Sequence, residues 1–188
     1  MTGRAAVRPA RAGDIAAMLV LINGYAREDR MLPRDRAFME QALGDFVVAA
    51  DAAGDASEVP SEFLGCCALA VLTPELGEIR SLAVVPSAGA RGIGRDLVTS
   101  CVAGARERGL RRVFALTLVP EFFTKCGFTL TSLARLPEKS AEECPVCPKR
   151  FACDEHAMLL HLDGSRPVPL APREPVGYTR MIRPEAAR

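Results

Sequence analysis

The chain has 188 residues, 49% of them hydrophobic and 25% charged, and a formal net charge of +1. That length suits one domain with a full core, and the near-neutral balance gives no electrostatic ground for a nucleic acid or an anionic membrane as partner. No run approaches the ~18 apolar residues of a membrane span.

In chain order, Val7–Ala10 reads as a short strand, and Asp14 as the cap of a helix whose Ile15, Met18, Leu19 and Ile22 recur at helical spacing. The same Asp14 interrupts the N-terminal stretch before the apolar core of a signal peptide can form. Pro33 marks a break before a second helix over Arg36–Leu43. Phe46–Ala50 and Phe63–Leu72 read as a hairpin around a polar loop, and Gly77–Val85 as a third strand stopped by Pro86. Ile93, Leu97, Cys101 and Ala105 then line one helical face, which Gly109 ends. The basic run Arg106–Arg112 falls at that helix end, where cations complement the dipole. Arg112–Leu118 is a buried strand, Pro120 opens a short helix, and Phe128–Ala134 and His156–Leu162 are the last strands. The expectation is one mixed α/β domain over residues 1–162, with a Cys-rich insertion at 137–155 and a proline-bearing, flexible tail at 163–188.

These elements frame SAGARGIGRDLV, Ser87–Val98, which sets Gly89, Gly92 and Gly94 ahead of an apolar helix. Backbone amides at a helix N-terminus attract anions, and glycine lets them approach closely. Two common phosphate loops do not fit. A P-loop needs Lys followed by Ser or Thr, whereas Gly94 is followed by Arg95 and Asp96. The dinucleotide fingerprint runs GxGxxG, whereas this loop runs GxxGxG. Spacing alone leaves a structural turn and an anion site both open.

With its flanks, EIRSLAVVPSAGARGIGRDLV followed by FFTKCGF, the loop resembles the GNAT superfamily of acyl-CoA-dependent N-acetyltransferases. The resemblance spans about Val7–Leu162 and implies an α/β (α+β) GNAT fold, a single mixed and mostly antiparallel sheet flanked by helices. It implies that Gly89, Ala90, Arg91, Gly92, Ile93, Gly94 and Arg95 hold the coenzyme A pyrophosphate. The backbone of Leu82, Ala83 and Val84 would pair with the pantetheine arm, and Phe122 and Phe123 would lie against the cofactor or pack in the core. Gly89 stands where the family carries Gln or Arg. The segments MLPRDRAFMEQALGDFVVA, GEIRSLAV, VFALTLVPEFFTKCGF, LPEKS and CPVCPKRFACDEHAM narrow the resemblance. Together they look like the short bacterial N-acetylglutamate synthases, which acetylate the α-amine of glutamate in the first step of arginine biosynthesis.

Acetyl transfer to an amine needs a neutral amine, a polarised thioester carbonyl and a tolerable thiolate leaving group. By resemblance Glu78 is the base, directly or through a water, and a backbone N–H near Val84 polarises the carbonyl. Many GNAT enzymes carry a proton-donating Tyr where this chain has Phe123. A thiol of pKa ~8.5 leaving as thiolate at pH 7 sits only about 2 kcal/mol uphill, so no general acid is assigned. A dicarboxylate substrate requires cationic contacts, preferably bidentate arginine; Arg34 comes first, then Arg80 and Lys139. No Cys is placed beside the base, which implies direct attack in a ternary complex.

Seven cysteines without a secretory signal suit a reducing, cytoplasmic compartment. Cys66, Cys67 and Cys101 sit in apolar runs as small core residues. Cys144, Cys147, Cys153 and His156 have a donor set that could hold a structural zinc, with Cys126 or His161 as alternative ligands and free or redox-active thiols as the other reading. The expected activity is acetyl transfer from acetyl-CoA to the α-amine of L-glutamate. The alternatives are a GNAT enzyme for another amine, or a weakly catalytic CoA-binding or thiol-metal sensing module. Expected partners are the amino-acid substrate and, left open, a second copy of the chain as a homodimer, with no nucleic acid and no membrane.

Overall fold

A computed structural model describes residues 5–51 and 62–183. Among the described residues, seven strands form one mixed sheet in the order β1-β2-β3-β4-β5-β7-β6. They are β1 (Ala5–Pro9), β2 (Phe46–Asp51), β3 (Phe63–Thr73), β4 (Leu76–Val84), β5 (Arg112–Thr117), β6 (Thr129–Leu130) and β7 (His156–His161). The helices are α1 (Ile15–Arg27), α2 (Arg36–Gln41), α3 (Ile93–Glu107), α4 (Pro120–Lys125), α5 (Pro137–Ser140) and α6 (Tyr178–Ile182). Most of the predicted polar loop between β2 and β3 lies outside the described residues. Among the described residues, no helix is long and apolar enough to cross a membrane.

Two units divide the chain: Met1–Ala70 with Ile79–Gly104, and Val71–Glu78 with Ala105–Arg188. In the first, β1 and β3 both pair antiparallel with β2. The apolar face of α1 (Ile15, Met18, Ile22) packs with Met39 of α2 on Phe46, Val48, Cys66, Ala68 and Ala83, with Leu19, the fourth position singled out by helical spacing, half-buried against this cluster. Asp14 does not cap α1 through its side chain. Its carboxylate instead accepts from the Arg11 N–H and the Arg8 guanidinium, both at 2.7 Å. α2 stops at Gln41 and a short 3-10 turn over Leu43–Asp45 completes the predicted helix. The predicted face of α3 is buried throughout, with Ile93, Leu97, Cys101 and Ala105 at most 3% exposed.

In the second unit, β5 pairs parallel with Leu76–Glu78 of β4 and antiparallel with β7. Leu76, Phe114, Leu133, Leu136, Cys144, Ala157, Leu159 and Tyr178 form its core. The predicted strand at Phe128–Ala134 shrinks to Thr129–Leu130. Ser132 then turns the chain by accepting the Ala134 N–H on its hydroxyl, and the Leu133 N–H bonds to Pro175 rather than to a strand.

That contact belongs to the segment expected as a flexible tail, which is instead tied down from Val168 to Tyr178. Arg135 grips both carboxylate oxygens of Glu174 and the carbonyls of Val168 and Pro169. The Ser132 hydroxyl donates to the Pro175 carbonyl at 2.7 Å, and the Ala157 N–H donates to Val176 at 3.0 Å. A Cβ on Gly177 would lie 2.6 Å from the Glu155 carbonyl, so only glycine permits this approach. Tyr178 ends the run inside the core. Proline content disfavours regular structure but not docking through carbonyls and one aromatic anchor. Tyr178→Ala is therefore expected to destabilise the protein by about 3 kcal/mol. At this size the thermal midpoint should fall by roughly 6–12 °C. A midpoint within ~2 °C of the parent would show that the segment contributes no core.

Candidate active site

The part of β4 in the first unit carries Arg80 and a Ser81 whose φ is +53°. A side-chain-bearing residue in the left-handed region costs about 1–2 kcal/mol and takes the strand out of regular ladder geometry. Leu82, Ala83 and Val84 follow. The Tyr25 hydroxyl of α1 donates to the Val84 carbonyl at 2.7 Å, and the Val85 N–H donates to Leu64 of β3 at 2.8 Å. Opposite lies Gly65, where a Cβ would meet the Ala83 carbonyl at 2.6 Å and the Val84 Cα at 3.1 Å. The segment expected to pair with pantetheine is thus fixed by a hydroxyl on one side and a bare glycine on the other.

Beyond Val85, a 3-10 turn over Pro86–Arg91 carries Gly89 and Ala90, and Gly92 at φ +80° admits α3. The N–H groups of Arg95 and Asp96 both bond to the Gly92 carbonyl. Those of Ile93 and Gly94, in the first turn, have no acceptor within the helix. Gly89 faces open space, and a Cβ there would have nothing within 4 Å. Arg91 reaches back to Asp51 at 2.5 Å, and that contact first, then the charge of Asp51, holds its guanidinium above the usual value. Arg95 is exposed at the start of α3.

The same unit brings two expected substrate contacts together. Asn23 of α1 clamps the Arg34 backbone, its amide donating to the Arg34 carbonyl at 2.9 Å and its Oδ1 accepting the Arg34 N–H at 3.0 Å. The Arg34 guanidinium lies 4.4 Å from the centre of the Phe38 ring, and that of Arg80 lies 5.9 Å from the same centre. One aromatic ring therefore has two cations near it, from segments far apart in sequence. Asn23, Tyr25, Phe38 and Gly65 were not singled out from the sequence. A glycine inside a strand was the one available signal among them.

In the second unit Glu78 is 3% exposed. Its Oε2 accepts from Lys139 Nζ at 2.9 Å, and the same nitrogen donates to Glu143 Oε2 at 2.7 Å. Burial alone would lower the Lys139 ammonium, but the carboxylates of Glu78 and Glu143 outweigh it and raise it above the ordinary lysine value. Glu155, ahead of β7, is pushed up by burial and by the negative charge of Glu78. Lys139, expected to reach a substrate carboxylate, is committed to carboxylates of the chain itself. Phe123 is 4% exposed and packs edge-to-face on Phe122 and Phe128, at 5.2 and 5.3 Å between centres.

The zinc expectation is not supported. Among the described residues no group of three or more His, Cys, Asp or Glu side chains is arranged to hold a metal ion. Cys144 packs in the leucine-rich core, and burial pushes its thiol up to about 12, the reverse of a ready thiolate ligand. Cys153 faces Glu155, with its sulfur 3.9 Å from Oε2. The insertion is anchored by Leu136 and Cys144 in the core and by the Lys139–Glu78 ion pair. Cys66, Cys67 and Cys101 are buried, as expected of core residues.

Residues 15–128 match the Acetyltransferase (GNAT) family. The chain belongs to this family of acetyltransferases. An uncharacterized N-acetyltransferase of Chlorobaculum tepidum is 40% identical over 81% of this chain and 94% of its own length. An amino-acid acetyltransferase of Mycobacterium tuberculosis is 37% identical over 67% of this chain and 69% of its own. Among solved structures, a Mycobacterium tuberculosis protein in complex with CoA aligns with TM-score 0.69 at 30% identity, covering 84% of this chain and 99% of that one. N-acetylglutamate synthase from Neisseria gonorrhoeae, complexed with coenzyme A and N-acetyl-glutamate, aligns with TM-score 0.72 at 27% identity. That alignment covers 86% of this chain and 36% of the synthase. The GNAT membership fixes the reaction type as acetyl transfer to an amine and leaves the acceptor to the site residues.

Proposed function

We propose that this GNAT protein transfers the acetyl group of acetyl-CoA to the α-amine of L-glutamate. The observation that carries the acceptor is the gathering of Arg34 and Arg80 on the Phe38 ring. Guanidiniums suit carboxylates, which they engage bidentately, and two of them near one ring would repel a polyamine. The complexes of the two solved neighbours with CoA, and of one with N-acetyl-glutamate, support the same reading.

In this account the amides of Ile93 and Gly94 and the Arg95 guanidinium bind the diphosphate of acetyl-CoA. Leu82–Val84 align the pantetheine, and Glu78 accepts the proton that the substrate ammonium must lose before attack. The amine nitrogen then attacks the thioester carbon, and the carbonyl oxygen takes up charge stabilised by a backbone N–H near Val84. The adduct collapses by breaking the C–S bond, and the remaining excess proton on nitrogen passes to the departing thiolate, leaving the amide and free thiol. Phe122 and Phe123 supply apolar surface and no proton.

A panel of amines with acetyl-CoA tests the proposal, with L-glutamate expected to exceed L-aspartate, L-glutamine and spermidine in kcat/KM. A preference for glutamine or spermidine would overturn it. Arg34→Ala should raise KM for glutamate about 10- to 100-fold, the loss of one charge-assisted contact, and leave KM for acetyl-CoA close to the parent. Equal changes in both constants would place Arg34 outside the acceptor site.

A further inference from the structure

We propose that Lys139 is a positioning residue for acetyl transfer: its ammonium, bridged between Glu78 and Glu143, keeps the Glu78 carboxylate ionised and in one orientation. The inference rests on the reading of Glu78 as the base. It gives Lys139 a role other than binding substrate.

A carboxylate as buried as Glu78 is strongly disfavoured in its charged form unless a cation and hydrogen bonds replace the lost water. Lys139 supplies both at 2.9 Å. Side-chain exposure rises along the bridge, from 5% at Glu78 to 11% at Lys139 and 45% at Glu143. The cluster thus runs from the interior to its solvated end at Glu143. Backbone geometry holds Lys139 in place. Its N–H donates to the Leu136 carbonyl, and the Glu143 N–H donates to the Lys139 carbonyl, one helical turn on. Leu136 and Cys144, on either side, are anchored in the core. A flexible side chain is therefore fixed at its root as well as at its tip. Turning Lys139 toward a substrate carboxylate would break its 2.9 Å ion pair with Glu78, which is buried and close enough to Glu155 to raise that carboxyl.

Among the described residues, the charged and titratable groups near Glu78 include Lys139 and Glu143 from the α5 segment and Glu155 ahead of β7. Lys139 also acts on Cys144, and Asp154 and Lys149 also act on Glu155. The signs of two substitutions follow. Removing the ammonium raises the pH needed to ionise the base, whereas removing the outer carboxylate lowers it.

The acid limb of kcat/KM against pH for acetyl-CoA and glutamate reads this out. In Lys139→Met the limb should move up by about one unit or more, with kcat reduced about tenfold at the parent optimum. Lys139→Arg should restore the limb toward the parent position. Glu143→Gln, a change at the solvated end that keeps the core intact, should move the limb down by about half a unit. A thermal melt on each variant identifies any that does not fold. Should Lys139→Met not fold, the Arg and Gln variants decide the matter between them. Limbs unmoved in folded Lys139→Met or in Glu143→Gln would overturn the proposal, as would a limb moving in the opposite direction. If Glu78→Gln is inactive while these limbs stay fixed, the base reading survives and the positioning role falls. If Glu78→Gln is fully active, the base reading itself falls.

Discussion

Glu78→Gln is expected to lower kcat by about 10²- to 10⁴-fold while acetyl-CoA binds as tightly as to the parent. The amide keeps the shape of the side chain and can still accept from Lys139, so neither the core nor the cofactor segment should shift. What it loses is the ability to take a proton. The loss should therefore appear in kcat with acetyl-CoA affinity unchanged, since an interaction made only on the way to the transition state was removed. Lys139 keeps Glu143 as a partner at 2.7 Å, which limits the destabilisation. A kcat within about threefold of the parent would remove Glu78 from the chemistry. A parallel loss of coenzyme A affinity would point to a structural effect.

Gly65→Ala should damage cofactor binding from a position that carries no side chain. The added Cβ would meet backbone atoms of Ala83 and Val84 at 2.6 and 3.1 Å and the Leu97 side chain at 3.3 Å. Leu97 can yield. The Ala83 carbonyl can do so only by displacing β4, the segment proposed to align the pantetheine. Overpacking of this kind costs about 1–3 kcal/mol, and the displaced strand should also raise the dissociation constant for coenzyme A by about tenfold or more. Gly44→Ala, with nothing within 4 Å of its Cβ, serves as the stability control and should stay within about 0.5 kcal/mol. Unchanged coenzyme A affinity in a folded Gly65→Ala would separate the β3 contact from the cofactor.

The helices and long strands were legible because burial follows period: the apolar stripes of α1 and α3 are the positions that the core encloses. Elements whose fate depends on distant residues were not. Thr131–Ala134 carries a strand-like pattern, but Pro175 takes the backbone bond that a neighbouring strand would need. The tail read as a spacer because local composition says nothing of Arg135 waiting for Glu174. CxxC spacing suggested a metal, while the fold turned Cys144 into the core. Among the candidate functional residues, Glu78, Arg34, Arg80 and the glycine loop could be nominated from residue type and resemblance. Their partners could not, since Phe38 gathers the arginines and Lys139 takes Glu78 only through tertiary structure. Ser81 is the clearest case: no pattern marks a serine in mid-strand as left-handed.

Identification of the product tests the account most directly. Acetyl-CoA and L-glutamate are incubated with the protein, free thiol is titrated, and the acetylated compound is characterised by mass spectrometry and NMR. The account predicts one thiol released per acetyl group transferred, with that group on the α-nitrogen of glutamate. Thiol release without acetylated glutamate, or no release at all in the presence of glutamate, would contradict it.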